Sequence, residues 1–152
     1  MTTTTNKTPF FTLKLIFYFF LAGQIIFLGV AFYLMQSLEF NFENPDMMSY
    51  LVPCFAIAAV FIGNYIYQQT INTIKREDTF FQKMAKFQTA NIIKFAMIES
   101  ASLFAIVKYL ISSNAIYAVI AILLILYFTS LIPNKEKIIS LLNLTSEERK
   151  LL

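Results

Sequence analysis

The sequence contains no histidine, no tryptophan, one cysteine, three glycines and four prolines. Without His there is no imidazole general base and no His-containing zinc set, and the lone Cys54 can form neither an internal disulfide nor a cysteine-rich metal cage. No familiar enzyme template survives these absences. The chain is therefore expected to be no enzyme and to carry no cofactor and no metal. Charge is also scarce: 14% of residues are Asp, Glu, Lys or Arg, against 58% hydrophobic ones. A water-soluble domain of 152 residues has too little charge here to cover its surface, so lipid is expected to be part of the solvent. The net charge of +3 does not read as nucleic-acid binding, because the basic residues sit beside apolar runs rather than along a polar face interleaved with aromatics.

What the chain does have is long apolar runs. About 20 apolar residues in a helix cover roughly 30 Å of hydrocarbon, and four segments reach or approach that length. The expected fold is all-α, an integral membrane bundle of four transmembrane helices at about 10–36, 50–70, 90–111 and 115–132, preceded by a polar tail over 1–9. The first run is longer than the roughly 7 to 15 apolar residues of a cleaved signal peptide, so it reads as a retained anchor. Between spans one and two lies an acidic stretch with Glu39, Glu43 and Asp46, expected to be a short external loop. Span two tolerates Pro53 in its first turn and aligns Ala56, Ala59 and Gly63 as a small-residue row for close helix packing.

Residues 70–86, with Lys75, Arg76, Lys83 and Lys86, read as a polar cytoplasmic loop, and Ser112-Ser113-Asn114 as a tight turn between spans three and four. After Pro133 comes an amphipathic tail, 133–152. Its Lys135, Lys137, Ile138, Ile139, Leu141 and Leu142 predict a short interfacial helix, and Thr145 followed three residues later by Glu148 predicts a capping box. The tail's apolar stripe suits either a protein partner or an anionic lipid surface. Of the twelve Lys and Arg residues, all but Lys108 fall on one side of a four-span chain. The positive-inside rule then places both termini in the cytoplasm.

Glu99 is the one acid expected near the middle of a span. A central charge costs about 3 kcal/mol, against roughly -0.3 to -0.6 for each Leu, Ile, Val or Phe, so the span is still expected to insert. Lys94 and Lys108 lie near its ends and can bring their ammonium groups to the interface, which Glu99 cannot. An acid so placed is expected to face the bundle interior, a water-filled cavity or a partner. Gln88, Asn91, Glu99 and Ser102 share one side of the helix. If spans two and three are antiparallel about the polar loop, residues whose numbers sum to about 163 share a depth, which sets Asn64 opposite Glu99. Gln24 of span one falls near the same level. Gln24, Asn64, Glu99 and Ser102 thus form a candidate polar layer, either a packing device or an ion-binding site.

The stretch FAIAAVFIGNYIYQQTINTIKREDTFFQKMAKFQTANIIKFAMIESASLFAIVKYLI, residues 55–111, resembles the helical hairpin of the c subunit of rotary ATP synthases. That resemblance implies an ion-binding carboxylate at Glu99 and a rotor-facing loop over 76–81. It lacks the family's regularly spaced glycines, having Gly63 alone, and it lacks an Arg-Gln-Pro loop, so a tight c-type ring does not follow. GQ in span one, IE in span three and P-x-KEKI after span four also resemble an uncharacterised family of small four-helix membrane proteins of the Bacteroidota.

Seventeen Phe and eight Tyr are spread through every span as packing and lipid-facing residues. Cys54 reads as a small packing residue. The expected role is a non-enzymatic membrane protein, an accessory or scaffold subunit or a homo-oligomer packing through its spans. The alternative is proton or small-cation translocation through Glu99. Expected partners are the lipid bilayer and other membrane subunits or further copies, with no nucleic acid.

Overall fold

The structure is a computed structural model that describes residues 9–35, 40 and 47–151; the expected polar tail up to residue 8 and the acids Glu39, Glu43 and Asp46 lie outside them. The described chain is all helical. Its elements are α1 (Pro9–Met35), α2 (Met47–Asn72), α3 (Phe80–Ser112), α4 (Ala115–Thr129), α5 (Lys135–Leu142) and a closing 3-10 turn (Glu148–Leu151). Three of them, α1, α2 and α3, are long and apolar enough to cross a membrane. The 15 residues of α4 extend about 22 Å at 1.5 Å per residue, short of the roughly 30 Å hydrocarbon core.

Several boundaries differ from the sequence expectation, each for a local reason. The expected polar loop over 70–86 shrinks to 73–79, because α2 runs on to Asn72 and α3 begins at Phe80. A capping box starts α3 there: Thr79 Oγ1 accepts from Gln82 N at 3.4 Å, and Thr79 N donates to Gln82 Oε1 at 2.9 Å. Two orphan first-turn donors are thereby satisfied. Pro53 sits in the second turn of α2 rather than the first, since the helix starts at Met47. The Ser-Ser-Asn turn is as tight as its composition predicts. Ser113 takes the left-handed region (φ 56°), its N–H bonding Tyr109 O at 2.9 Å, and Asn114 caps α4 by accepting from Ile116 N at 3.1 Å.

Helix α3 is the hub, packed against α1, α2 and α4, whereas α1 and α2 lie on different flanks of it. The α1–α3 pair is parallel, as its matched contacts show. Gln88 Nε2 donates to Pro9 O at 2.6 Å at one end, and Ser113 Oγ meets Met35 Sδ at 3.5 Å at the other. Between them Phe17 pairs with Phe95 and Phe32 with Tyr109. The α2–α3 pair is antiparallel, with Phe55 against Phe104 and Gly63 against Met97. Where α1, α3 and α4 meet, the fully buried rings of Phe17, Phe95 and Phe128 form a closed trio. Phe17 and Phe128 stack at 4.9 Å, and Phe95 stands edge-on to each at 5.4 and 5.3 Å.

The outward faces of α1 and α2 are apolar and bare. Phe19 is 79% exposed, Tyr33 78% and Phe61 72%, a pattern that suits lipid contact rather than water. One end of the bundle is basic: Lys83 and Lys86 project from α3 beyond its apolar stretch, near the tail. There the apolar stripe of α5 is turned into the protein. Ile138, Leu142 and the following Leu144 are buried in one cluster with Phe80, Met84 and Phe87. The stripe expected to lie on a membrane surface or partner is thus used for the protein's own core. The Thr145–Glu148 capping box forms (2.8 and 3.4 Å), and Glu148 Oε1 also pairs with the buried Lys83 Nζ at 3.1 Å.

Two outcomes follow from this packing. A Cβ at Gly63 would stand 3.4 Å from Met97 Cβ and 3.7 Å from the Lys94 backbone, which is ordinary contact. Gly63→Ala should therefore keep or slightly raise stability, by up to about 1 kcal/mol through helix propensity, whereas Gly63→Leu should cost about 1–3 kcal/mol by overpacking. Unfolding in detergent would check both, and equal tolerance of Leu would refute the close approach. The second outcome concerns acid. The Thr145 backbone N–H, and then Lys83, hold the Glu148 carboxyl below its ordinary 4.5. A lowered folded pKa stabilises fully above that ordinary value and is lost as pH falls through the lowered one. Limited proteolysis of the tail should accelerate below about pH 4.5, and Glu148→Gln should make it fast at every pH.

Candidate functional site

The polar residues between helices α1 to α4 fall on two seams rather than in the one expected layer. Gly63 must face α3 to permit the close approach of α2, and the next residue along a helix lies about 100° further round. Asn64 is accordingly turned toward α4, where its Nδ2 donates to the Tyr127 hydroxyl at 3.0 Å. It is not opposite Glu99. The pairings Gly63 with Met97 and Phe55 with Phe104 also show a register about one turn from the expected one. Nearer the other end of the same α2–α4 seam, Ser49 Oγ and the Tyr117 hydroxyl share a hydrogen bond of 3.2 Å. Both contacts use a tyrosine as a rigid apolar body with a polar tip.

The other seam, between α1 and α3, brings together the remaining three residues. Gln24 and Ser102 are both fully buried, and the parallel register of the two helices puts them at a common depth. Gln24 Nε2 makes a long bond of 3.5 Å to Phe20 O, while Gln24 Oε1 and Ser102 Oγ have no hydrogen-bond partner among the described residues. Glu99 lies one turn before Ser102 and is partly exposed, at the outer edge of the seam. A Cβ on Gly23 would come within 3.8 Å of Glu99 Oε1, so the carboxyl leans on α1 where that helix is narrowest. Glu99 makes no hydrogen bond or ion pair with a described residue. Beside it, Ala96 and Ser100 form an exposed strip of α3 between α1 and α2. Ser100 Oγ is occupied locally, donating to Met97 O at 2.8 Å.

The small-residue row lies on the packed side of α2. Ala59 and Gly63 are buried on α2, Gly63 against Met97 and Lys94 of α3. Ala56 also borders an apolar cleft of ≈ 320 Å³ between α2 and α4, with Pro53, Val60 and Leu124. Asn91 donates to Phe87 O at 2.8 Å, and Lys94 Nζ sits 5.0 Å over the Tyr67 ring, toward the basic end. Two residues were missed from the sequence, Tyr127 and Gly23. Tyr127, in the last turn of the apolar α4, carries a hydroxyl that seeks a partner when buried; Gly23 carried no signal apart from its place beside Gln24.

Chemically, the α1–α3 seam offers a carboxyl, an amide carbonyl and a hydroxyl, all hard oxygen donors suited to a proton or a small hard cation. No group of three or more His, Cys, Asp or Glu comes together among the described residues. The division into two seams can be tested by a double-mutant cycle read by unfolding in detergent. Tyr127→Phe should cost about 0.6 kcal/mol and at most about 2, and it should couple to Asn64→Leu. Coupling of Asn64→Leu to Glu99→Gln instead would restore the single layer. No protein-family model, curated protein or solved structure matches this chain.

Proposed function

We propose that the chain is a four-span integral membrane protein, non-enzymatic, that acts through helix packing as an accessory or scaffold subunit of a membrane complex or as a homo-oligomer. The basic end, gathering Lys14, Lys83, Lys86, Lys135 and Lys137, supports a cytoplasmic position for that end and for both termini. The antiparallel course of α4 along α3 supports counting α4, with the turn that follows it, as the fourth span. The likeness to small Bacteroidota membrane proteins supports a bacterial inner membrane.

One observation carries the packing role. Glu99 has no hydrogen-bonding or ionic partner among the described residues and borders the exposed strip that Ala96 and Ser100 form on α3. A mid-span carboxyl facing hydrocarbon costs about 3 kcal/mol, and a donor from a neighbouring chain approaching along that strip would offset it. Small residues there allow close approach. Glu99→Gln, which still hydrogen-bonds, should keep the association, and Glu99→Leu should lose it. The measurement is the mass of the purified complex in mild detergent, together with disulfide trapping of Ser100→Cys in a Cys54→Ala background. A stable monomer with no co-purifying subunit, indifferent to both substitutions, would sink this reading.

The second reading, proton or small-cation binding and translocation through Glu99, is favoured by two buried oxygens that have no partner among the described residues, Gln24 Oε1 and Ser102 Oγ, near the level of Glu99. The likeness of residues 55–111 to the c-subunit hairpin points the same way. It predicts a carboxyl infrared band, absent in Glu99→Gln, that responds to sodium or to pH. A silent band would return Glu99 to packing.

A further inference from the structure

At the basic end, the start of α1 and the connection from α4 to α5 enclose a cavity of ≈ 390 Å³ lined by Phe10, Lys14, Ile132, Pro133, Asn134 and Lys135. Two ammonium groups converge on it. Lys14 Nζ lies 5.8 Å and Lys135 Nζ 5.5 Å from the centroid of the same Phe10 ring. Neither makes a hydrogen bond or ion pair with a described residue. Two other lysines at this end are neutralised, Lys83 by Glu148 and Lys86 by Asp78. Asn134 adds a third donor. Its Oδ1 is engaged as the cap of α5, accepting from Glu136 N at 3.1 Å, and its Nδ2 has no acceptor among the described residues.

Two like charges held over one ring repel each other, and a shared anion removes that repulsion. The donors surround an apolar floor, the buried Phe10 ring, and Ile132 on the rim is an exposed apolar side chain, as are Phe11 and Leu15, the residues that follow Phe10 and Lys14 along α1. An anion that is only charged has no use for that rim; an amphiphile has. The cavity also lies at the first turn of a candidate span, the level of lipid headgroups in a bilayer.

We infer that this cavity is a binding site for the phosphate of an anionic phospholipid, held by Lys14, Lys135 and the Asn134 amide, with an acyl chain running along Leu15 and Ile132. The inference rests on the bilayer reading above. Phosphate chemistry alone is shared with inorganic phosphate, and the apolar rim favours the lipid.

The test uses the full chain in nanodiscs of phosphatidylcholine with and without phosphatidylglycerol, followed by native mass spectrometry for retained lipid and by thermal unfolding. Phosphatidylglycerol should be retained and should raise the unfolding temperature of the wild type. Lys14→Gln with Lys135→Gln should weaken retention about tenfold or more, and Lys14→Arg with Lys135→Arg should restore it. Lys75→Gln with Lys150→Gln removes the same charge from exposed positions away from the cavity and should retain the lipid. Equal loss in that control, or stabilisation by inorganic phosphate in detergent that phosphatidylglycerol does not exceed, overturns the lipid site. A protein that incorporates but retains both lipids equally overturns the site and leaves the bilayer reading standing. Failure to incorporate at all refutes the bilayer reading and the site with it.

Discussion

The fold depends on α3 burying three of its sides at once. Its ring of Phe95 is locked between Phe17 of α1 and Phe128 of α4, and its opposite flank takes the small residues of α2. Edge-to-face and stacked rings at these separations add about 0.5–1.5 kcal/mol per pair beyond the area they cover. In a lipid surround, where burial of apolar surface supplies little drive between helices, such shape-specific contacts decide which helices meet. The aromatic trio fixes the depth of α1 and α4 against α3. Gly63 fixes that of α2. The placement of every polar side chain between the helices then follows from those two settings.

Polar groups within the spans are treated unequally. Asn64 with Tyr127 and Ser49 with Tyr117 are closed pairs on the α2–α4 seam, the arrangement expected of groups that serve only to join helices. On the α1–α3 seam the buried Gln24 carbonyl and Ser102 hydroxyl have no partner among the described residues, beside the partly exposed Glu99 carboxyl. Buried polar atoms without partners are rare because each costs about 1–3 kcal/mol. Their concentration on one seam, next to the exposed strip of α3, is what distinguishes this part of the molecule from the rest.

The basic end is knitted by contacts of a different kind. Lys86 joins Asp78 and Thr73 O across the 73–79 loop, and Lys83 joins Glu148. The second link is the more protected, with the lysine side chain 6% and the carboxylate side chain 17% exposed. Here α5 and the segment after it close over the basic end of α3 and cover Phe80, Met84 and Phe87. The charge bias that reads as topology in the sequence is therefore also used as structure, with some lysines committed to partners and Lys14 and Lys135 left facing a cavity.

The sequence by itself determined the helical class, the existence of the long apolar helices, the tight Ser113-Asn114 turn, the capping box at Thr145 and the singular position of Glu99. These are local properties: apolar length, charge sign, and the donor and acceptor chemistry of a few adjacent side chains. The 73–79 loop was legible only in part, because Lys83 and Lys86 look alike on a helix and in a loop until their partners Glu148 and Asp78 are in place. Only the tertiary structure decided which helix each polar residue faces. A rotation of 100° per residue sends Asn64 to Tyr127 once Gly63 is pressed against Met97, and the parallel register of α1 and α3 brings Gln24 to Ser102. Neither registers nor rotations are written in one segment alone, since both are set by the packing of residues far apart in the chain.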